Sequence, residues 1–383
     1  MNIKSIKNAK NLENKIILLR ADFNIPIHNN KIEDDFKIID SLATIDFLLN
    51  NKAKVVVLTH LGRPGGKRDA KYSTKPIASR LSELLNKKVN FVDACVGSKV
   101  KKAIQSLASN EVLLLENLRF HKEEKVNDLK FAEKLAQLGD IYVNNAFAVS
   151  HREHASVNAI KKFLPNYVGF LLENELKNLD KIVIPKKPLV VVLGGAKIFT
   201  KLPLIKKFDQ NENKILIGGA LANNFFLANN LEVGKSLIDE ESLEIAKEIL
   251  SKKSKNILLP IDLVVQTKNS IKLKKIDEVK KNEKIMDIGP ETIRLYSDFI
   301  KKANTIIWNG PMGFFEEKHF QIGTISIARI VASRSQGQAF GVVGGGETVE
   351  ALKMTKMFDY VDWVSSGGGA MLSYLGGEKM PGL

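Results

Sequence analysis

Nine short apolar runs punctuate the chain, each rich in Val, Ile and Leu, and none alternates with polar residues. They are Ile16–Leu19, Val55–Leu58, Val112–Leu115 and Ile141–Val143, then, after a break, Val190–Leu193, Ile215–Ile217, Ile257–Leu259, Thr305–Trp308 and Phe340–Val343. A strand with one wet face would alternate; a continuous run fits a strand buried on both faces of a parallel sheet. Helical spacing fills the intervals. From Phe36 to Asn50, Ile38, Leu42, Ile45 and Leu49 share one stripe, with Asp34 and Asp35 placed to cap its start. Strand and helix alternating over 383 residues predict an α/β chain with two open, doubly wound, Rossmann-like parallel sheets. Between the two series of runs, Gly169 opens a helical stretch, Phe170–Lys181, which Pro185 and Pro188 end. This predicts a stiff connector about which two domains rotate.

The polar signals divide the same way. The first half carries three Arg–His groupings: His60-Leu61-Gly62-Arg63, Arg119-Phe120-His121 and His151-Arg152-Glu153-His154. The net charge is +15, yet only nine of the 58 basic residues are arginine. Where lysine serves nearly everywhere, arginine is expected where a planar two-pronged fork is required. Arg20, Arg63, Arg119 and Arg152 all stand at the ends of strand-like runs, where ligands bind in open α/β sheets. With Asp22, Asn24 and the histidines they suit a small molecule bearing phosphate and carboxylate.

The second half carries glycine runs instead: Gly194-Gly195-Ala196-Lys197, Gly218-Gly219, Gly344-Gly345-Gly346 and Gly367-Gly368-Gly369. Glycine lets backbone N–H groups approach a phosphate closely. There is no Walker A pattern and no G-x-G-x-x-G opening. With Lys197, Lys201, Asn309-Gly310-Pro311-Met312-Gly313 and Glu347-Thr348, the runs suit a nucleotide with its metal. One half would grip an anion through side chains, the other a second ligand through backbone.

Other classes fit less well. The lysines, dense in Lys252–Lys255 and Lys268–Lys284, read as solvated surface, and aromatics total 7%, so nucleic-acid binding is not expected. Met1–Lys7 has no apolar core of a signal peptide, and no apolar stretch approaches membrane-spanning length. Cys95 is the only cysteine, which suits a reducing compartment. The expectation is a cytoplasmic protein with no membrane partner.

In order and over essentially its whole length, the chain resembles the phosphoglycerate kinase family. The resemblance is carried by Leu19-Arg20-Ala21-Asp22-Phe23-Asn24-Ile25-Pro26, His60-Leu61-Gly62-Arg63-Pro64, Glu116–His121 and Tyr142–Ser156. In the second half it is carried by Gly194–Lys201, Asp287–Thr292, Trp308–Gly313, Gly344–Thr348 and Ser365–Ala370. It implies reversible phosphoryl transfer between Mg-ATP and the carboxylate of 3-phosphoglycerate, forming 1,3-bisphosphoglycerate, by a monomer. It implies a phosphoglycerate-binding domain at 1–168, a helix and hinge at 169–187, a nucleotide-binding domain at 188–369 and a segment, 370–383, packing back on the first domain. Asp22, Asn24, Lys37, His60, Arg63, Arg119 and Arg152 would bind 3-phosphoglycerate. Gly195, Ala196, Lys197, Lys201, Gly219, Asn309, Pro311, Gly313, Glu316, Gly345, Gly346, Glu347 and Thr348 would bind the nucleotide, with Glu347 at the magnesium ion. Lys37, Lys201, Gly346 and Gly369 would act on the group in flight. A carboxylate is already nucleophilic, so in-line positioning and cations, with closure of the domains, would carry catalysis.

The chain departs from the family pattern at a few positions. Lys37 stands where the family has arginine, Asn145 and Glu347 where aspartate is usual, and Ala148 and Ala220 where glycine is usual. Lysine keeps the charge of arginine and loses its fork. These departures motivate the alternative of a relative that binds both ligands with weak or no turnover.

Overall fold

The computed structural model describes residues 3–210 and 212–383. Met1 and Asn2, part of the polar N-terminal stretch, lie outside the described residues. Each of the nine apolar runs forms a strand, with Leu259 alone falling just past the end of its own. Two compact units result: one runs through Lys177 and takes back Lys379–Leu383, the other is Asn178–Glu378. The boundary falls inside one helix, Phe170–Val183.

The first unit holds a six-stranded parallel sheet. Its spatial order is Val89–Val92, Val112–Leu115, Lys54–Leu58, Ile16–Arg20, Ile141–Asn144, Asn166–Val168. Both faces are buried, as continuous apolar runs require. Ile17, Leu19, Val55, Val57 and Leu114 point into one core, and Leu18, Val56, Leu58, Leu113 and Leu115 into the other. Each such side chain contributes about 1.5–3 kcal/mol through burial. The helix Phe36–Asn50 covers one face with Ile38, Ile45, Leu48 and Leu49. Of the two aspartates before it, Asp34 accepts the Phe36 N–H at 2.9 Å. Asp35 instead meets Arg80. The last residues close on the same unit: Asn144 donates to the Gly382 carbonyl at 2.9 Å and Gly382 N–H to the Ser150 carbonyl at 2.8 Å.

The second unit's parallel sheet runs Ile257–Leu258, Lys214–Ile217, Leu189–Leu193, Thr305–Asn309, Phe340–Gly344, Trp363–Ser365. In sequence this is the order 3-2-1-4-5-6 of a Rossmann sheet, whose ligands bind where the order reverses. The reversal lies between Leu189–Leu193 and Thr305–Asn309. A three-stranded antiparallel sheet, Ile271–Lys274, Leu263–Gln266 and Lys284–Ile288, accompanies it. The lysine-rich segment read as plain surface therefore carries strands, and Lys274 makes a mostly buried ion pair with Glu283 at 2.8 Å. Among the described residues, no helix is long and apolar enough to cross a membrane.

Candidate active site

In the first unit, the carboxyl ends of the central strands deliver Arg20, Asp22, Asn24, His60 and Arg119 to one rim. The Asp22 carboxylate receives the Lys37 ammonium at 2.8 Å and lies 3.5 Å from His60 Nδ1. Arg20 is fully buried, with Nη2 3.2 Å from the same His60 nitrogen and Nε donating to Ser156 Oγ at 2.9 Å. Ser156 in turn donates to buried Glu124 at 2.6 Å. On the adjoining loop, Gly62 N–H donates to Asn24 Oδ1 at 2.8 Å and Arg119 Nη1 to the Gly62 carbonyl at 2.7 Å. Asn117 pins that loop by exchanging hydrogen bonds with the Leu61 backbone. Arg119 Nε is buried without a hydrogen-bond partner among the described residues. Arg152 Nε sits 3.3 Å from His151 Nε2, and Arg63 is exposed on its loop.

Burial, then Arg152 and Arg20, bring the Arg119 guanidinium down to about 10. Burial lowers Arg152 too; Asp22 opposes the shift, and Arg63 and Arg20 add to it. Burial and the neighbouring arginines hold His154 at about 3, so it is neutral. Burial alone would raise Asp22, but Lys37 chiefly, with Arg20, holds its carboxyl well below the usual range. The arginines crowd one another with only Asp22 and the Glu124 behind them as counter-charge, an arrangement that an anion relieves. His121 belongs elsewhere: it stacks on Phe131 with centroids 4.8 Å apart and lines a separate hollow with Cys95.

In the second unit, a cavity of about 640 Å³ opens at the reversal of strand order. Gly195, Ala196, Gly219, Pro311, Gly313, Glu316 and Glu347 line it. Its walls are built by backbone contact. Gly194 N–H donates to the Asn309 carbonyl at 3.0 Å and Gly195 N–H to the Pro311 carbonyl at 2.9 Å. A Cβ on Gly194 would lie 2.0 Å from the Pro311 carbonyl oxygen, and Gly310 takes φ +96° with its own Cβ position 2.3 Å from the Gly194 oxygen. Only glycine fits at either position.

Lys201, Asn309, Gly345 and Thr348 are tied into the same corner. Lys201 Nζ donates to Asn309 Oδ1, Asn309 Nδ2 to the Gly344 carbonyl at 2.5 Å, and Gly310 N–H to Thr348 Oγ1 at 2.7 Å. The position of a Cβ on Gly345 lies 2.9 Å from Asn309 Nδ2 and 3.2 Å from Thr348 Oγ1. Burial brings the Lys201 ammonium down to about 8, against the pull of Glu347. Lys197 is exposed, Gly346 opens the helix Gly346–Met354, and Gly369 stands exposed in the first turn of Gly368–Gly376. Among the described residues no three His, Cys, Asp or Glu side chains gather as a metal site. A lone carboxylate, Glu347, fits magnesium that arrives largely ligated by nucleotide phosphates and water.

The family model described as phosphoglycerate kinase matches residues 6–378. The chain belongs to the phosphoglycerate kinase family. It is 43% identical to the phosphoglycerate kinase of Wolbachia sp. subsp. Brugia malayi (strain TRS) over all of this chain and 98% of that one. It is 42% identical to the chloroplastic phosphoglycerate kinase of Volvox carteri over 97% of this chain and 83% of that one. The solved phosphoglycerate kinase structure from Coxiella burnetii superposes with TM-score 0.84 at 36% identity, covering 99% of this chain and 97% of that one. The Pyrococcus horikoshii OT3 structure gives 0.86 at 32% identity, with the same coverage. As a phosphoglycerate kinase family member, the chain is an enzyme that transfers a phosphoryl group reversibly between ATP and 3-phosphoglycerate.

Several residues around the rim of the first unit and the cavity of the second escape the sequence reading. Ser156 and Glu124 back Arg20, and Thr59 Oγ1 accepts the Phe23 N–H at 3.0 Å. Lys235, Leu237, Lys284, Met286 and Asp287 line the cavity. Two of these had a signal, Ser156 in the Tyr142–Ser156 motif and Asp287 in the Asp287–Thr292 motif. The Asp287 carboxylate accepts the Gly323 and Ile288 N–H groups at 2.7 and 2.9 Å, and burial raises it to about 7.

Proposed function

We propose that the rim of the first unit binds 3-phosphoglycerate through Asp22, Asn24, Lys37, His60, Arg63, Arg119 and Arg152. The crowding of Arg20, Arg63, Arg119 and Arg152 carries this reading, because their mutual repulsion is relieved by a ligand with two anionic groups. The cavity of the second unit takes the nucleotide. Gly195, Ala196, Gly219, Pro311, Gly313 and Glu316 would hold its nucleoside, while Lys197, Lys201, Asn309, Gly345, Gly346, Glu347 and Thr348 face the phosphates. Glu347 would hold a magnesium ion arriving with the nucleotide, and the chemistry that ion would supply is neutralisation of charge on the phosphates.

Lys37, Lys201, Gly346 and Gly369 act on the group in flight. The substrate carboxylate attacks directly, so no general base is required. Lys201, with burial drawing its ammonium to about 8, remains mostly cationic near neutral pH. Lys37 supplies a second cation. Residues 1–168 would thus carry the phosphoglycerate and 188–369 the nucleotide, with closure about 169–187 bringing the reactants in line. A monomer acting in the cytoplasm completes the reading.

The test is acyl-phosphate formation from 3-phosphoglycerate and Mg-ATP, trapped with hydroxylamine. The unmodified chain is expected to turn over, and Lys37→Ala to lose about 10²–10³ in kcat with little change in ADP affinity. Lys37→Arg is expected to keep or raise kcat. Binding of both ligands without turnover, restored by Lys37→Arg, would identify a relative disabled at that one position.

A further inference from the structure

His60 Nδ1 has two neighbours that demand opposite things of it. Asp22 Oδ1, 3.5 Å away, would accept a proton from that nitrogen. Arg20 Nη2, 3.2 Å away, can only donate to it, because a guanidinium has no acceptor. Both cannot be satisfied, since a proton on Nδ1 would face the guanidinium N–H.

The surroundings decide in favour of Arg20. Its side chain is fully buried and anchored at Nε to Ser156, which is fixed by both oxygens of Glu124 at 2.9 and 2.6 Å. Asp22 already has a cation, because Lys37 occupies its other oxygen at 2.8 Å. The charged groups facing His60 are Asp22, Arg20, Arg119 and Lys37, three cations against one carboxylate. Burial, with Asp22 opposing it and the three cations adding to it, holds the imidazolium well below its ordinary range.

We propose that Arg20 is a positioning residue that holds His60 as the neutral tautomer protonated on Nε2, so that His60 meets 3-phosphoglycerate as a hydrogen-bond donor without carrying charge. The proposal rests on the assignment of His60 to the substrate rim made above. A neutral donor adds no further repulsion to a rim already crowded with arginine, and it does not titrate where histidine ordinarily does.

Nitrogen-15 NMR of the imidazoles in the intact protein tests this directly, with His60 assigned by loss of its signals in His60→Gln. The expected result is an Nε2–H, Nδ1-unprotonated pattern that stays unchanged from about pH 5 to about pH 8. A proton on Nδ1, or an imidazolium within that range, overturns the proposal without need of a variant. In Arg20→Lys, which keeps the charge but not the fork, His60 is expected to populate the Nδ1–H form facing Asp22. 3-Phosphoglycerate affinity is then expected to fall about tenfold relative to the unmodified protein at each pH. An unaltered tautomer in that variant would show that Arg20 does not set it. Adding 3-phosphoglycerate should shift the Nε2 signal. An unmoved signal with the tautomer intact would remove His60 from the substrate rim, a failure of the earlier assignment distinct from failure of the Arg20 contact.

Discussion

On the proposed reading, each of the two units holds a phosphate-bearing ligand at the carboxyl edge of a parallel sheet, and they do so with opposite materials. The first uses long cationic side chains braced from behind by Glu124, Ser156 and Asn117. The second uses main chain brought so close that Gly194 and Gly310 leave no room for a methyl group. A side-chain site can lose a member and keep its fold. A backbone site is the fold, so the two should fail differently.

The largest effect is therefore expected from one methyl group in the second unit. Gly310→Ala forces a Cβ to within 2.3 Å of the Gly194 carbonyl oxygen at φ +96°, with only backbone available to yield. A destabilisation of about 4 kcal/mol is expected. Both tryptophans, Trp308 and Trp363, belong to the second unit, so their fluorescence in urea reports that unit within the intact chain. An unchanged midpoint would mean that the loop relaxes and the backbone contact is not structural.

The contrast extends to pH. Asp22 is buried beside Lys37 and Arg20, which hold its carboxyl below the unfolded value of 3.8. Its contribution is present above pH 4 and is lost as pH falls below it. Asp287 is buried among backbone N–H groups and raised to about 7. The folded state then binds the proton more tightly than the unfolded one, so this contribution is greatest below pH 4. It is lost as pH rises from 3.8 to about 7. Stability reported by the tryptophans should decline by on the order of 3 kcal/mol over that interval through this group. Asp287→Asn should remove the slope, even though the amide cannot accept both N–H groups and lowers the level. A slope that survives the substitution would assign it to another group.

How much of this was legible beforehand depended on which physical force left a mark in the sequence. The central strands of both sheets are buried on both faces, so Val55–Leu58 and Val190–Leu193 are uninterrupted apolar runs. The edge strands Asn166–Val168 and Trp363–Ser365 are short and partly exposed, and carry no such run. The antiparallel sheet hid in a lysine-rich stretch because Ile271–Lys274 points little of itself into a core. At the sites, arginines and glycines stood out against a lysine-rich background. Lys235, Lys284 and Glu124 did not, because what distinguishes a carboxylate or a lysine there is its burial or its neighbour, which the chain reveals only once folded.

Removing a side chain from the first unit should sharpen the same contrast. Arg119→Ala deletes the donor to the Gly62 carbonyl and a guanidinium already strained by Arg152 and Arg20. The fold should hold, since relieving like-charge crowding offsets the lost hydrogen bond. Affinity for 3-phosphoglycerate should fall about 30-fold, near 2 kcal/mol, by isothermal titration. ADP affinity should not move. Loss of both would show that Arg119 supports structure rather than ligand.

The smallest expected effect is the reverse of the first. Ala220 stands on the cavity wall, in the first turn of the helix Gly219–Ala228. Its methyl group is where the family pattern has none, and the question is whether it crowds the nucleotide or packs against it. A cavity of about 640 Å³ leaves room for both the methyl group and a nucleoside, so Ala220→Gly should cost contact rather than relieve a clash. One buried methyl is worth about 0.8 kcal/mol, so ADP should bind up to roughly fourfold more weakly. Loss of helix propensity should cost the fold no more than about 1 kcal/mol. Tighter ADP binding would instead mark Ala220 as an obstruction. Gly310 precedes the cavity-lining Pro311 and Ala220 lines the same cavity, yet the effects expected from a methyl group added at the first and removed at the second differ severalfold. The difference arises because the first must displace main chain while the second meets only open cavity.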